Sequence, residues 1–297
     1  MPPLFFWRTT MPILTDHAFH IGEQHLRQGK PCQDFALSGA LTDTVSYATI
    51  SDGCSSGGQT DIGARLVALA TERALRESVA CGDYSAESVN SERNLYIETY
   101  RRTLQLPVED MLATSLWATM DEREVSVNIT GDGAFALLLE VGSPVLYEIT
   151  WDKNAPYYPA YRLGGLDTSF KQHQTNPTPL SITKRWIGAD EEVCVSTDEH
   201  YIEPSMNGLG FVFSKESGLF PSPIIGVGIF SDGVTQVDAY TTEETIIALT
   251  SFKTVKGQFF TRRMNRFLQD VKKTGRGPLD DIAGAVLYDQ HSPTGEG

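Results

Sequence analysis

Apolar and polar positions along this chain change in short runs, and few stretches cycle with a helical period. Residues 45–50 alternate and stop at Ser51-Asp52, the period-two signature of a half-buried strand. Similar strands are predicted over 16–22, 35–40, 125–129, 133–140, 227–230 and 282–288. Residues 111–120 and 125–129 read as a hairpin around the polar stretch Asp121 to Glu124. Helical spacing is clear in four places. Over 63–76, Leu66, Leu69, Ala70 and Ala74 form the expected apolar face. Residues 91–106 form a second helix, closed by Pro107. Residues 243–252 and 257–273 give two late helices. In the last, Phe259, Phe260, Met264, Phe267, Leu268 and Val271 make a stripe that suits a core better than a ligand box. Residues 151–220 are rich in Pro, Tyr, Gly and Ser and predict strands joined by long, specificity-bearing loops.

Strands on both sides of a helical pair, followed by late helices, predict an α+β layered sandwich of antiparallel sheets with helices on the outer faces. No repeat or linker stands out. One domain over 13–290 is expected, with tails at 1–12 and 291–297.

Composition narrows the function. The chain has 297 residues, 40% hydrophobic and 21% charged, with a net charge of -14 and no Lys/Arg run. Nucleic acid is excluded as a partner, because neutralising phosphates needs a basic surface. No stretch of 18 apolar residues is present, so no membrane span is expected. Cys32, Cys54, Cys81 and Cys194 form no C-x-x-C pair, which suits the reducing cytoplasm. The opening Met1 to Pro12 is apolar but lacks a basic start and a cleavage site; Met11 is a second candidate start.

The chemistry lies where the strands stop. Asp52-Gly53 follows residues 45–50, Asp132-Gly133 follows 125–129, and Asp232-Gly233 follows 227–230. Asp280-Asp281 precedes the last strand, and Asp34 closes Pro31-Cys32-Gln33-Asp34. Asp-Gly is an ordinary turn when it occurs once. Repeated at strand ends, it offers carboxylates and an exposed carbonyl to hard divalent cations.

In order and spacing these stations resemble the type 2C metal-dependent Ser/Thr protein phosphatases. They fit best a divergent bacterial branch whose first motif reads G-x-x-H, then P-C-Q-D, here Gly22 to His25 and Pro31 to Asp34. Asp52-Gly53 with Gly57-Gly58, Ala113 to Leu116 with Gly131-Asp132-Gly133, Ser231-Asp232-Gly233 and Asp280-Asp281 match the later motifs. The resemblance implies a four-layer sandwich, two central antiparallel sheets flanked by helices. It implies two Mn²⁺ or Mg²⁺ ions, with Asp52 bridging them and the Gly53 carbonyl on one. Asp232 and Asp280 would complete one shell, and Asp34 would serve the other directly or through water. Gln33 stands where many members have Glu or Gln. The implied reaction is hydrolysis of phosphoserine or phosphothreonine in proteins by a metal-bridging hydroxide. A phosphorylated protein is then the substrate, a kinase is a natural counterpart, and the enzyme is a signalling monomer. A weakly catalytic binding domain or a small-molecule phosphatase would use the same fold.

The departures from the family pattern define the open questions. Many members carry an upstream Arg for the substrate phosphate; here the region offers His25, Arg27 and Lys30. With Asp52, His25 is the second candidate catalytic residue, as phosphate binder or general acid; a hydrogen-bonded structural histidine is the other reading. Cys54 replaces the His that follows the first Asp-Gly in eukaryotic members. Asp281 replaces the usual Asn. A third, weaker metal would use Asp132 and the position of Gln236, where an amide replaces a carboxylate.

Overall fold

The computed structural model describes residues 13–83, 85–164, 179–187, 192–201, 208–274 and 277–290. Both expected tails lie outside them. Among the described residues there are twelve strands: β1 (Leu14–His20), β2 (Asp34–Ala40), β3 (Ser46–Asp52), β4 (Ser115–Met120), β5 (Glu124–Thr130), β6 (Gly133–Leu139), β7 (Val145–Trp151), β8 (Leu180–Ile187), β9 (Val193–His200), β10 (Leu209–Ser214), β11 (Ile224–Phe230) and β12 (Ile282–Tyr288). The helices are α1 (Glu23–Gln28), α2 (Thr60–Cys81), α3 (Ala86–Leu104), α4 (Thr242–Thr250) and α5 (Phe259–Lys273).

The strands form two antiparallel sheets, ordered β1-β12-β11-β6-β7-β8-β9 and β10-β5-β4-β3-β2. α2 lies on β2 and β3 and carries α3, α5 lies on β1, and the sheets face each other through β12 with β3 and β11 with β4. The expected α+β sandwich is therefore the observed one. β6 and β11 are buried along their whole length. That explains their unbroken apolar runs, since a strand covered on both faces does not alternate. Between the sheets Phe135 stacks on Tyr147 with centroids 4.5 Å apart. The stripe on α5, Phe259 to Val271, is core as expected.

The α2 face differs from the sequence expectation. The helix starts at Thr60, and its buried side is Gly63, Ala64, Val67, Ala68, Ala70, Thr71, Ala74 and Leu75. Leu69 is exposed. Small residues win this face because the helix approaches its neighbour closely: a Cβ on Gly63 would sit 1.8 Å from the Asp110 carbonyl oxygen. α1 was not expected from the sequence. Six residues between Gly22 and the left-handed Gly29 are too few to show a period.

Register fixes where the chemistry falls. Asp34 opens β2 directly opposite Asp52, which closes β3. Leu116 at the start of β4 pairs with Ile50, and Ser115 pairs with Thr130 at the end of β5. Phe230 at the end of β11 pairs with Ala134 at the start of β6 and with Gly284 in β12. All five acidic stations therefore reach the same end of the two sheets.

Candidate metal centre

Asp34 and Asp52 are cross-strand partners, so their Cβ atoms stand about 5 Å apart on one face. The Gly53 amide donates to the Gln33 carbonyl at 3.0 Å. Asp52 is fixed from β4's side by Thr114, whose Oγ1 accepts its amide at 2.9 Å and whose own amide donates to its carbonyl at 2.8 Å. Asp34 is fixed from the other sheet. Ser231 Oγ donates to Asp34 Oδ2 at 2.6 Å and accepts the Ala283 amide at 2.8 Å.

Asp132 sits in the β5–β6 turn between Gly131 and Gly133, whose φ values of 110° and 132° demand glycine. The turn is braced from outside: Trp151 Nε1 donates to the Gly131 carbonyl at 2.9 Å. Buried Arg93 donates to Thr130 Oγ1 at 3.3 Å and to Asn90 Oδ1 at 2.8 Å. Asp232 begins the short 3₁₀ turn Asp232–Thr235. Gln236 Nε2 lies 3.3 Å from Asp232 Oδ2 and 3.4 Å from Asp280 Oδ2. The amide thus links two carboxylates as a donor.

These acids crowd one another. Asp34 is 1% exposed, while Asp52, Asp132, Asp232 and Asp280 are half-buried around it. Burial raises the pKa of Asp34 well above the usual carboxylate range; Asp281 and Asp232 add to it, against the Ser231 hydrogen bond. Burial also raises Asp52, with Asp34, Asp232 and Asp132 pressing the same way. Asp132 is pushed up to about 7, by burial first and Asp232 second. Burial raises Asp232, with Asp280 adding to it. Among the described residues, no Lys or Arg pairs with any of these five. Asp34 Oδ1 is buried without a hydrogen-bond partner. Carboxylate oxygens with no paired Lys or Arg among the described residues are a donor chemistry suited to hard divalent cations. The residues present fit such ions.

His25, on α1, is 5% exposed. Its Nδ1 lies 2.8 Å from Asp281 Oδ2, at ion-pair distance but off the line of a good hydrogen bond. Ligand atoms of His25, Asp280 and Asp281 lie within 4.8 Å of one another. Arg27 and Lys30 are not drawn in. Arg27 pairs with Glu23 at 2.6 Å on the surface, and Lys30 is exposed. Cys54 is half-buried, with Sγ 3.1 Å from Ser56 Oγ. Gln33 Nε2 donates to Thr60 Oγ1 at 2.6 Å, tying the first motif to α2. Tyr158 walls the site. Burial raises its pKa, with Cys54, Asp132 and Asp52 adding to it.

Sequence reasoning missed the supporting roles of Ser231, Thr114, Arg93 and Trp151. Ser231 and Thr114 lie inside motifs, which was the available signal. Arg93 and Trp151 act across long sequence separations and carried none.

Residues 21–275 match the family model described as protein phosphatase 2C. No curated protein sequence matches. Among solved structures, one described as a bacterial serine phosphatase aligns over 94% of this chain and 98% of its own, with a TM-score of 0.53 and 12% identity. The serine/threonine phosphatase Stp1 from Staphylococcus aureus aligns over 94% and 96%, with a TM-score of 0.53 and 14% identity. The Mycobacterium tuberculosis serine/threonine phosphatase PstP/Ppp aligns over 95% and 100%, with a TM-score of 0.50 and 12% identity. At these identities the likeness to solved structures concerns the fold.

Proposed function

Because the chain belongs to the protein phosphatase 2C family, we propose that it is a Mn²⁺- or Mg²⁺-dependent hydrolase of phosphoserine and phosphothreonine in proteins. The observation that supports this most is the buried Asp34 opposite Asp52, with three further carboxylates beside them and, among the described residues, no Lys or Arg paired with any of the five. Asp34, Asp52, the Gly53 carbonyl, Asp232 and Asp280 would hold two ions. Asp132 would serve a third, looser one. Bound there, such ions would lower the pKa of a water and neutralise charge on the phosphoryl oxygens.

The chain's own residues prepare that chemistry. Thr114 and Ser231 fix Asp52 and Asp34 before any ion arrives, so little reorganisation remains. Gln236 holds Asp232 and Asp280 at a common distance. Buried Tyr158 lies beside Cys54, Asp132 and Asp52 and bounds the site on that side.

The test is turnover of p-nitrophenyl phosphate and of Ser/Thr phosphopeptides, side by side, with EDTA and with added Mn²⁺ or Mg²⁺. Expected is activity on phosphopeptides that EDTA abolishes and either ion restores. Turnover that survives exhaustive chelation overturns the metal-dependent reading. Activity confined to small esters moves the substrate to a small molecule.

A further inference from the structure

Two departures from the family pattern meet in space. Asp281 stands where the family has Asn, and His25 stands in the region where many members carry Arg; their side chains are 2.8 Å apart. Asp281 is 2% exposed and uses both carboxylate oxygens. Oδ1 accepts the Gly22 amide at 2.6 Å, and Oδ2 accepts the Gln33 amide at 2.5 Å. The Asp281 amide donates to Asp280 Oδ1 at 2.8 Å. One residue thus touches the entry to α1, the first acidic motif and a candidate ligand of the last.

The Gln33 contact has a consequence in the β2–β3 ladder. Asp34 opposes Asp52, so Gln33 opposes Gly53. In an antiparallel pair of that kind the two residues exchange both N–H···O bonds. Here only one is made, from the Gly53 amide to the Gln33 carbonyl at 3.0 Å. The Gln33 amide, which would otherwise donate to the Gly53 carbonyl, is turned to Asp281. We propose that Asp281 is a positioning residue: it draws the Gln33 amide away, leaving the Gly53 carbonyl available to a divalent cation beside Asp52, while its own amide orients Asp280. This rests on the metal-binding reading above.

The site is built for this contact. A Cβ on Gly22 would lie 2.2 Å from the Asp280 carbonyl carbon, and one on Gly233 would lie 1.8 Å from the Asp281 carbonyl oxygen. The 280–281 segment is therefore held between two close backbone approaches and cannot shift to relieve a poor side-chain fit. An Asn in the same pose offers one acceptor oxygen and one NH₂ group. Either the Gly22 or the Gln33 amide would then face a donor, leaving a buried N–H unsatisfied. His25 adds a third contact, from a helix that starts at Gly22.

The test is Mn²⁺ binding to the full chain without substrate, by calorimetry, for the wild type, Asp281→Asn and His25→Ala. Asp281→Asn should raise the Mn²⁺ Kd at least about tenfold, equivalent to about 1.4 kcal/mol. His25→Ala, which keeps both amide contacts, should raise it by a smaller factor. A merely structural role would lower the Tm of the metal-free variant and leave Kd unchanged. Asp281→Asn binding Mn²⁺ within twofold of wild type overturns the proposal. If that variant does not fold, amide exchange in the wild type decides. Gln33 should be strongly protected, and exchange at the rate of an exposed amide overturns it. A wild type that binds no Mn²⁺ at all removes the functional reading itself, a separate outcome.

Discussion

The acidic end of the sheets and the β8–β10 arm are built from the same kind of strand and carry opposite loads. At the acidic end, β3, β6 and β11 are buried almost throughout, and backbone or hydroxyl contacts hold the key carboxylates. In the arm, β9 is the edge of one sheet and β10 the edge of the other. Val193, Val195 and Val212 are 54%, 59% and 68% exposed there. Ladder bonds, an Arg185–Glu148 pair at 2.5 Å and cation–π contacts of Lys184 to Tyr147, Trp186 and Phe220 support it. At the acidic end burial raises the pKa of Asp34, Asp52, Asp132 and Asp232, whereas β9 and β10 leave apolar side chains in solvent. Substitutions should therefore act steeply at one end and weakly at the other.

The sharpest test of that contrast is Asp52→Asn. It should lower kcat by at least about a thousandfold, roughly 4 kcal/mol in barrier, with Mn²⁺ saturating. The fold should persist, because Asn keeps the shape and the Thr114 contacts are to its backbone. Steady-state kinetics with circular dichroism checks both halves. A variant within about tenfold of wild type would mean that the buried acids are structural.

Metal should also stabilise the protein, because it supplies positive charge to carboxylates whose pKa values are raised first by burial and then by neighbouring carboxylates, Asp34, Asp52, Asp132 and Asp232. At a Mn²⁺ concentration about a hundred times Kd, linkage gives about 2.7 kcal/mol. The expected readout is a Tm several degrees higher than in EDTA, near neutral pH. An unchanged Tm would place no ion among these carboxylates.

How much of this was legible in the sequence follows the same division. The strands leading to Asp52, Asp132 and Asp232 were readable because an apolar run ends abruptly at Asp-Gly, a local signal. The α5 stripe was readable because a 15-residue amphipathic helix repeats its period. The face of α2 was misjudged because close packing there selects Gly and Ala over the larger Leu69. The Ser231 hydrogen bond to Asp34 spans 197 positions, and the Asp281 contact with Gln33 spans 248. Such contacts exist only once the sheets have formed. The arm gave no clear boundaries, because half-exposed edge strands carry weak patterns.

A pH-dependent effect should separate Asp132 from its neighbours. Its pKa is about 7 in the folded chain, against about 3.9 when unfolded. The folded state therefore holds its proton more tightly. In metal-free protein the associated stability is complete below about pH 4 and is lost as pH rises towards 7. Asp132→Asn, isosteric and neutral, removes this dependence. In EDTA the Tm of the variant relative to wild type should climb from pH 4 to pH 8. A constant difference across that range would show that Asp132 is not held in this raised state.

The smallest effect, and the one that most directly probes the contrast, compares one change at two strands. Val195 lies on the exposed edge strand β9, and Val227 is 1% exposed in β11, the strand that leads to Asp232. Val→Thr keeps the branched shape and adds a hydroxyl. At Val227 that hydroxyl is buried among apolar side chains and should cost roughly 1–3 kcal/mol. At Val195 water can solvate it, so the change should stay within about 0.5 kcal/mol. Urea unfolding of both variants, in EDTA, measures the difference free of metal linkage. Equal costs would mean that β9 is covered in solution and that the arm is not lightly loaded. An unchanged Val195→Thr stability with a raised KM for a phosphoprotein, but not for p-nitrophenyl phosphate, would instead give the exposed edge a role in holding protein substrate.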